Sequence, residues 1–174
     1  MTTQGPLHTD VNRYRYGDIN PVDTKPIDTA VVILKGDLVF RDAADSDKYK
    51  SSQSIVGIAG AGPATLAAAQ ELFHDTFLGP ASHRSRVGDV LPIVCGTSGV
   101  YEYECASATF NMGDLVGIAV DPVTPANIDR QRVIGVATPN LAIGRVVKDY
   151  TANTTTVLVE IMSTLYNGGA QAAA

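Results

Sequence analysis

The residues best suited to chemistry stand at 55–72, where an apolar run leads through Gly60-Ala61-Gly62-Pro63 into the alanine-rich stretch Leu66-Ala67-Ala68-Ala69-Gln70. A glycine turn of this kind lets the backbone approach a pyrophosphate, and the helix behind it offers N–H groups and a positive dipole. The chemistry would be dinucleotide binding. Three features oppose it. Thr65 stands where a third glycine should allow close helix–strand packing. No second strand ending in an acid follows about 20 residues on; residues 78–84 read as a loop instead. The rest of the chain shows no alternation of strands and helices. The stretch therefore reads as an apolar strand followed by a surface helix, with no bound flavin or nicotinamide nucleotide expected. A dinucleotide-binding enzyme fragment stays as a rival reading.

The other candidates carry less. His74, Asp75 and His83 are metal-ligating types, but their spacing fits no standard ligand pattern. Ser98 lies in Gly96-Thr97-Ser98-Gly99, which lacks the Gly-x-Ser-x-Gly elbow of a hydrolase nucleophile and reads as a hairpin loop. Glu102 and Glu104 flank Tyr103 and share one face of a strand. Paired carboxylates can move protons, but the polar outer face of a sheet is the commoner use. Cys95 and Cys105 fall on opposite faces of a hairpin turning at residues 96–99, which excludes a disulfide between them and makes both small buried hydrophobes. No catalytic residue, cofactor or metal site is assigned.

Thirteen Lys and Arg against eighteen Asp and Glu give the 174-residue chain a net charge of −5. It therefore lacks the general positive field that non-specific nucleic-acid binding needs. Charged residues make up 18%, below the ~25% of an average domain. No stretch has the sustained apolar content of a membrane span, and Met1 leads into no apolar signal region. Two cysteines are no disulfide framework. These features point to a soluble protein made in a reducing compartment.

The elements follow from pattern. Residues 1–28, broken by Gly5, Pro6, Pro21 and Pro26, read as an extended N-terminal arm. Within it Arg13-Tyr14-Arg15-Tyr16 alternates, so an extended backbone puts both Tyr on one side and both Arg on the other. The arm is either a solvated terminal segment or a docking element, since Tyr and Arg are favoured interface anchors. Residues 29–165 read as a mainly β body, a small barrel or sandwich. Short strands are predicted at 30–34, 38–40, 55–59, 90–95, 100–105, 115–120, 132–138, 142–147 and 155–162. One short helix is inserted around 63–75, with Pro63 in its first turn and a face of Leu66, Ala69, Gln70, Leu72 and Phe73. Residues 166–174 read as a flexible tail. Gly-Asp before an apolar residue recurs at 17, 36, 88 and 113, as a φ > 0 turn followed by an aspartate that caps backbone N–H groups. Gly57, Gly117 and Gly135 open a second echo and mark bulges or close backbone crossings.

In order, Gly36-Asp37-Leu38-Val39, Thr97-Ser98-Gly99-Val100-Tyr101-Glu102-Tyr103-Glu104-Cys105-Ala106, Met112-Gly113-Asp114-Leu115-Val116-Gly117-Ile118-Ala119, Ala142-Ile143-Gly144-Arg145-Val146-Val147 and Thr154-Thr155-Thr156-Val157-Leu158-Val159-Glu160-Ile161 form a series. The series resembles the capsid cement (decoration) proteins of tailed bacteriophages, over about residues 29–60 and 88–162. The helix and loop at residues 61–86 and the long arm depart from the compact members. The resemblance implies a small β-barrel with a structural, non-catalytic role. Its implied partners are the major capsid protein and further copies of itself, most simply as a homotrimer, on the virion surface after assembly in the host cytoplasm. Neither nucleic acid nor membrane is implied as a partner. A β-rich carbohydrate-binding or adhesion module is the alternative, disfavoured by the absence of Trp and by 6% aromatic content.

Overall fold

The computed structural model describes residues 26–56, 58 and 65–168, and for Asn167 the backbone alone. The protein is mainly β. Strands β1 (Leu38–Asp42), β2 (Lys48–Ser51) and β3 (Phe77–Pro80) form a three-stranded antiparallel sheet in the order β2-β1-β3. Strands β4 (Ser98–Phe110), β5 (Leu115–Val120), β6 (Ile128–Gly135), β7 (Gly144–Val146) and β8 (Tyr150–Met162) close into a barrel in the order β4-β6-β5-β7-β8. One helix longer than four residues, α1 (Leu66–Thr76), lies among the described residues, and α2 (Thr164–Asn167) follows β8.

The period-2 alternation of strands divides the interior into two cores. Leu38 and Phe40 of β1 and Phe77 of β3 face the barrel core with Tyr101, Tyr103, Val157, Val159 and Ile161. Val39 and Leu78 face the other way, into a cluster with Ile27, Ile33, Tyr49, Ile93 and Cys95. The three-stranded sheet is thus buried on both faces. That is why β1 and β3 read as continuous apolar runs rather than alternating ones.

Three Gly-Asp turns share one geometry. Gly36, Gly88 and Gly113 sit at φ 88°, 88° and 94°. The N–H groups of Asp37, Asp89 and Asp114 donate to the carbonyls three residues back, at 3.1, 3.0 and 3.1 Å. Each aspartate in turn accepts from the N–H of that same earlier residue, Leu34 at 2.9 Å, Arg86 at 2.6 Å and Asn111 at 2.7 Å. These are type II turns locked from both ends, with glycine at the position requiring φ > 0. The fourth repeat, Gly17-Asp18, lies outside the described residues. A Cβ on Gly113 meets nothing within 4 Å, so Gly113→Ala isolates the backbone strain. We expect it to lower stability by about 1–2 kcal/mol. Gly135→Ala, on an ordinary strand backbone, should be neutral or slightly stabilising. Urea unfolding of the pair measures the difference.

Several sequence expectations change. Residues 30–34 form no strand. The Asp28 carboxylate accepts from Ala30 N–H at 2.9 Å and turns the chain, leaving Ile33 in an isolated bridge to Ser85. Residues 55–59 supply only the isolated bridge Val56–Asn127 among those described. Residues 90–95 are irregular: Pro92 has no N–H for a ladder, and Val90 and Leu91 are exposed. The hairpin turning at 96–99 is therefore absent, and β4 pairs with β8 and β6 instead. Strands β2 and β3 were not expected. Their four-residue segments show no alternation long enough to register. Strand β6 begins at Ile128, four residues before the predicted start.

The helix starts at Leu66, with Thr65 as N-cap accepting from Ala68 N–H at 3.2 Å; Pro63, expected in its first turn, lies outside the described residues. Leu72 is exposed, while Gln70 is buried and donates to the Ile118 carbonyl at 2.8 Å. At the other boundary, the body reaches back to Pro26 rather than residue 29. Ile27 is buried and bridges to Tyr49, and Asp28 reaches Lys50 Nζ at 3.3 Å. Leu165 packs on the second core, and the helical turn α2 runs on to Asn167, into the first residues of the expected tail.

Candidate functional site

Gly60 and Gly62 lie outside the described residues, as do Arg13, Tyr14, Arg15 and Tyr16. The described flank of the glycine motif departs from a dinucleotide site. Ahead of the motif Val56 makes only an isolated bridge to Asn127, and β3 after α1 takes β1 as its ladder partner, so the described residues build no strand–helix–parallel strand unit there. His74 Nδ1 stands 3.2 Å from Asp75 Oδ1, and His83 is exposed. Among the described residues no group of three or more His, Cys, Asp and Glu side chains converges on a metal position. Glu102 and Glu104 lie on the outer face of β4, alternating with inward Tyr101, Tyr103 and Cys105. Both cysteines are free and buried, in different cores. Separation between the cores keeps them apart, rather than a hairpin register. Burial pushes both thiols above their ordinary value, which suppresses the reactive thiolate.

Two arrangements that single-residue reading missed stand out. The first is a buried polar centre between sheet and barrel. Asp37 is completely buried; its Oδ2 accepts from Leu34 N–H and its Oδ1 from Gln131 Nε2 at 2.9 Å. Gln131 Nε2 also donates to the Lys35 carbonyl at 3.0 Å. Arg130 Nη1 stands 3.8 Å from Asp37. Burial nonetheless outweighs the Arg130 charge and these hydrogen bonds, lifting the Asp37 carboxyl from 3.8 to about 6. Tyr103, with Tyr101, Asp37 and Cys95 around it, is held well above the usual phenol value by burial. The Gly-Asp pattern was legible in the sequence. That one of its three described aspartates is buried depends on β6 lying over it.

The second arrangement is a seam in the barrel wall. Strands β4 and β6 run parallel and pair only at Glu104–Arg132 and Cys105–Val133. Beyond Glu104 the register of β4 against β8 shifts twice, before Ala108 and before Phe110. Bulges of this kind bend a strand and increase its twist, and β4 leaves β6. The gap is a cavity of about 370 Å³, with Phe110, Leu115, Val133 and Ile134 as apolar walls and Asp114 also lining it. The facing strand edges carry small residues, among them Ala106, Ala108, Gly135 and Ala137.

On the opposite sheet, Lys50 Nζ joins Asp28, Asp42 and Asp45 at 3.3, 2.9 and 2.8 Å. Burial opposes the ammonium charge, but hydrogen bonds to Asp45 and Asp42 hold its pKa above the usual lysine value. With Lys48 Nζ 3.0 Å from Asp45, two ammonium groups offset most of the charge of the three carboxylates, and Lys50 occupies the centre of the cluster. No helix among the described residues is long and apolar enough to cross a membrane. No known family model matches the sequence, and no curated protein matches it significantly.

Proposed function

We propose that this chain is a structural virion protein that binds the outside of a tailed-phage capsid and cements neighbouring major capsid subunits, acting as a small oligomer, most simply a trimer. The observation that carries this reading is where its motifs lie. The Gly-Asp strand is β1, the Thr97-to-Ala106 block is on β4, the second Gly-Asp strand is β5, and the closing pair is β7 and β8. The segments behind the resemblance thus build the barrel and the strand packed on it. Cementing needs many identical moderate contacts rather than one deep pocket, and symmetry turns such contacts into avidity. A specific contact between copies would bury about 1,200–2,000 Å².

The arm supplies the test. Removing residues 1–20 leaves Ile27, Asp28 and every core residue among those described in place, so the melting temperature should stay within about 2 °C. Attachment to purified shells, read by co-sedimentation, should weaken. Alanine at Tyr14 and Tyr16 should reproduce much of that loss, since Tyr supplies rigid contact area. Full attachment by the shortened chain would leave the barrel as the binding element and the arm as a solvated segment. Failure of the complete chain to bind any shell would sink the cement reading.

A further inference from the structure

The seam between β4 and β6 is an interrupted sheet. After Glu104–Arg132 and Cys105–Val133 there is no ladder between the two strands, although β4 continues to Phe110 and β6 to Gly135. Each strand keeps its other neighbour: β4 pairs with β8 at Ala108–Thr154 and Phe110–Tyr150, and β6 pairs with β5 at Gly135–Val116. Two strand edges therefore face one another across an apolar cavity. Unpaired strand edges are templates for an added strand, and extended peptides bind by main-chain pairing with alternate side chains in pockets. The small side chains at Ala106, Ala108, Gly135 and Ala137 leave room for a backbone to come close. Long flat edges are normally blocked by bulky charge or proline, and residues 106–110 and 134–137 contain neither.

We propose that the seam receives the arm of a second copy, with Arg13-Tyr14-Arg15-Tyr16 adding as a short strand. The occupant must be extended, must present aromatic or apolar groups at every second residue, and must be polar on its other side. In residues 1–25 the alternation of these four residues meets all three conditions. Both tyrosines face one way, toward Phe110 and Val133 on the core side of the seam. Both arginines face outward, where Asp114 at the seam is a complementary charge. Twenty-five residues precede Pro26, and an extended chain of that length spans up to about 80 Å, ample for a neighbour. The choice of a second copy rests on the cement reading, because copies linked head to tail close into rings such as a trimer.

Cross-linking in the full-length chain tests this without a shell. Tyr16→Cys protein is mixed with Ala137→Cys protein under mild oxidation. The expected result is a disulfide-linked heterodimer that needs both substitutions, with none from the parent chain, whose own cysteines are buried. Sizing should show self-association weakened roughly tenfold or more by Tyr14→Ala with Tyr16→Ala. Filling the seam with Ala106→Trp, or Ala137→Arg as a second plug, should do the same, with melting temperatures unchanged for the plug that is scored. No heterodimer, or self-association indifferent to both arm and plug, would overturn the proposal. A link formed only within single chains of the Tyr16→Cys/Ala137→Cys double variant would overturn the second-copy source. Linked copies that ignore capsid shells would retain this inference and remove the cement reading; shell binding by copies that never link would do the reverse.

Discussion

Val159→Asp is expected to yield no folded protein at 25 °C, while Glu160→Gln one residue away changes stability by less than about 1 kcal/mol. Val159 is completely buried and sits in β8 between Tyr101 of β4 and Val146 of β7. One methyl of Val159 lies 2.7 Å from where a Cβ on Gly144 would stand, so the site has no room to rearrange around a carboxylate. Asp37 shows what a buried carboxylate needs here: a backbone N–H, a Gln amide and an Arg nearby, and burial still raises its pKa. Position 159 lies among apolar neighbours and offers no comparable set of donors. An unpaired buried acid costs several kcal/mol, against a typical total stability of about 5–15 kcal/mol. Glu160 points outward, across from Arg145 and Val100. Circular dichroism and thermal melts of the two variants decide the matter. The reverse ranking would mean that β8 is shifted by one residue.

The second large effect concerns Asp37. Its folded-state pKa of about 6 lies above the unfolded value of 3.8, so the native state binds this proton more tightly. The stabilisation from that proton is fully present below about pH 3.8 and is lost as pH rises through about 6. Acidification from pH 7 toward 4 should therefore stabilise the protein through this residue, by up to about 3 kcal/mol at 1.36 kcal/mol per pH unit. Asp37→Asn keeps the shape and the acceptor for Leu34 N–H and buries no charge, and gives up the bond from Gln131 Nε2, because its own amide nitrogen cannot accept. It should be near neutral at pH 7 and should flatten the pH dependence between 4 and 7. Asp37→Leu leaves Leu34 N–H and one Gln131 bond unsatisfied in a buried site, and should lose about 2–5 kcal/mol. Urea midpoints of the three proteins at pH 4.5 and 7 carry the test. A slope unchanged in the Asn variant would place the titrating group elsewhere.

The parts of the fold legible in the sequence were those whose cause is local. Val157, Val159 and Ile161 alternate with Leu158, Glu160 and Met162, and that period alone marks the core face of β8. The predicted strand at 115–120 coincides with β5 because a locked Gly113-Asp114 turn precedes it. Gly117 reads as a close crossing, and a Cβ there would press on the Leu141 carbonyl oxygen. The helix was legible from its composition, and of its expected face Ala69, Gln70 and Phe73 are buried while Leu72 is exposed. A leucine at the edge of the apolar stripe falls outside the contact, and the glutamine finds a carbonyl to satisfy it inside.

What only the tertiary structure decided is which partners those elements meet. Residues 90–95 are apolar and include the β-branched Val90, Ile93 and Val94 yet form no strand: Pro92 has no N–H for a ladder, and on the second core Cys95 makes an isolated bridge to Ala81. Asp37, Asp89 and Asp114 occupy identical turns, but only Asp37 lies beneath Gln131 and loses contact with water. The seam depends on two bulges that bend β4 away from a parallel neighbour 28 residues ahead in the chain. The sequence by itself determined turns, faces and the existence of a β body, because these follow from the chirality, side-chain period and hydrogen-bonding capacity of neighbouring residues. Pairing, burial of a charge and the gap in the barrel are set by segments far apart in sequence, and their energies come into being only when the chain closes.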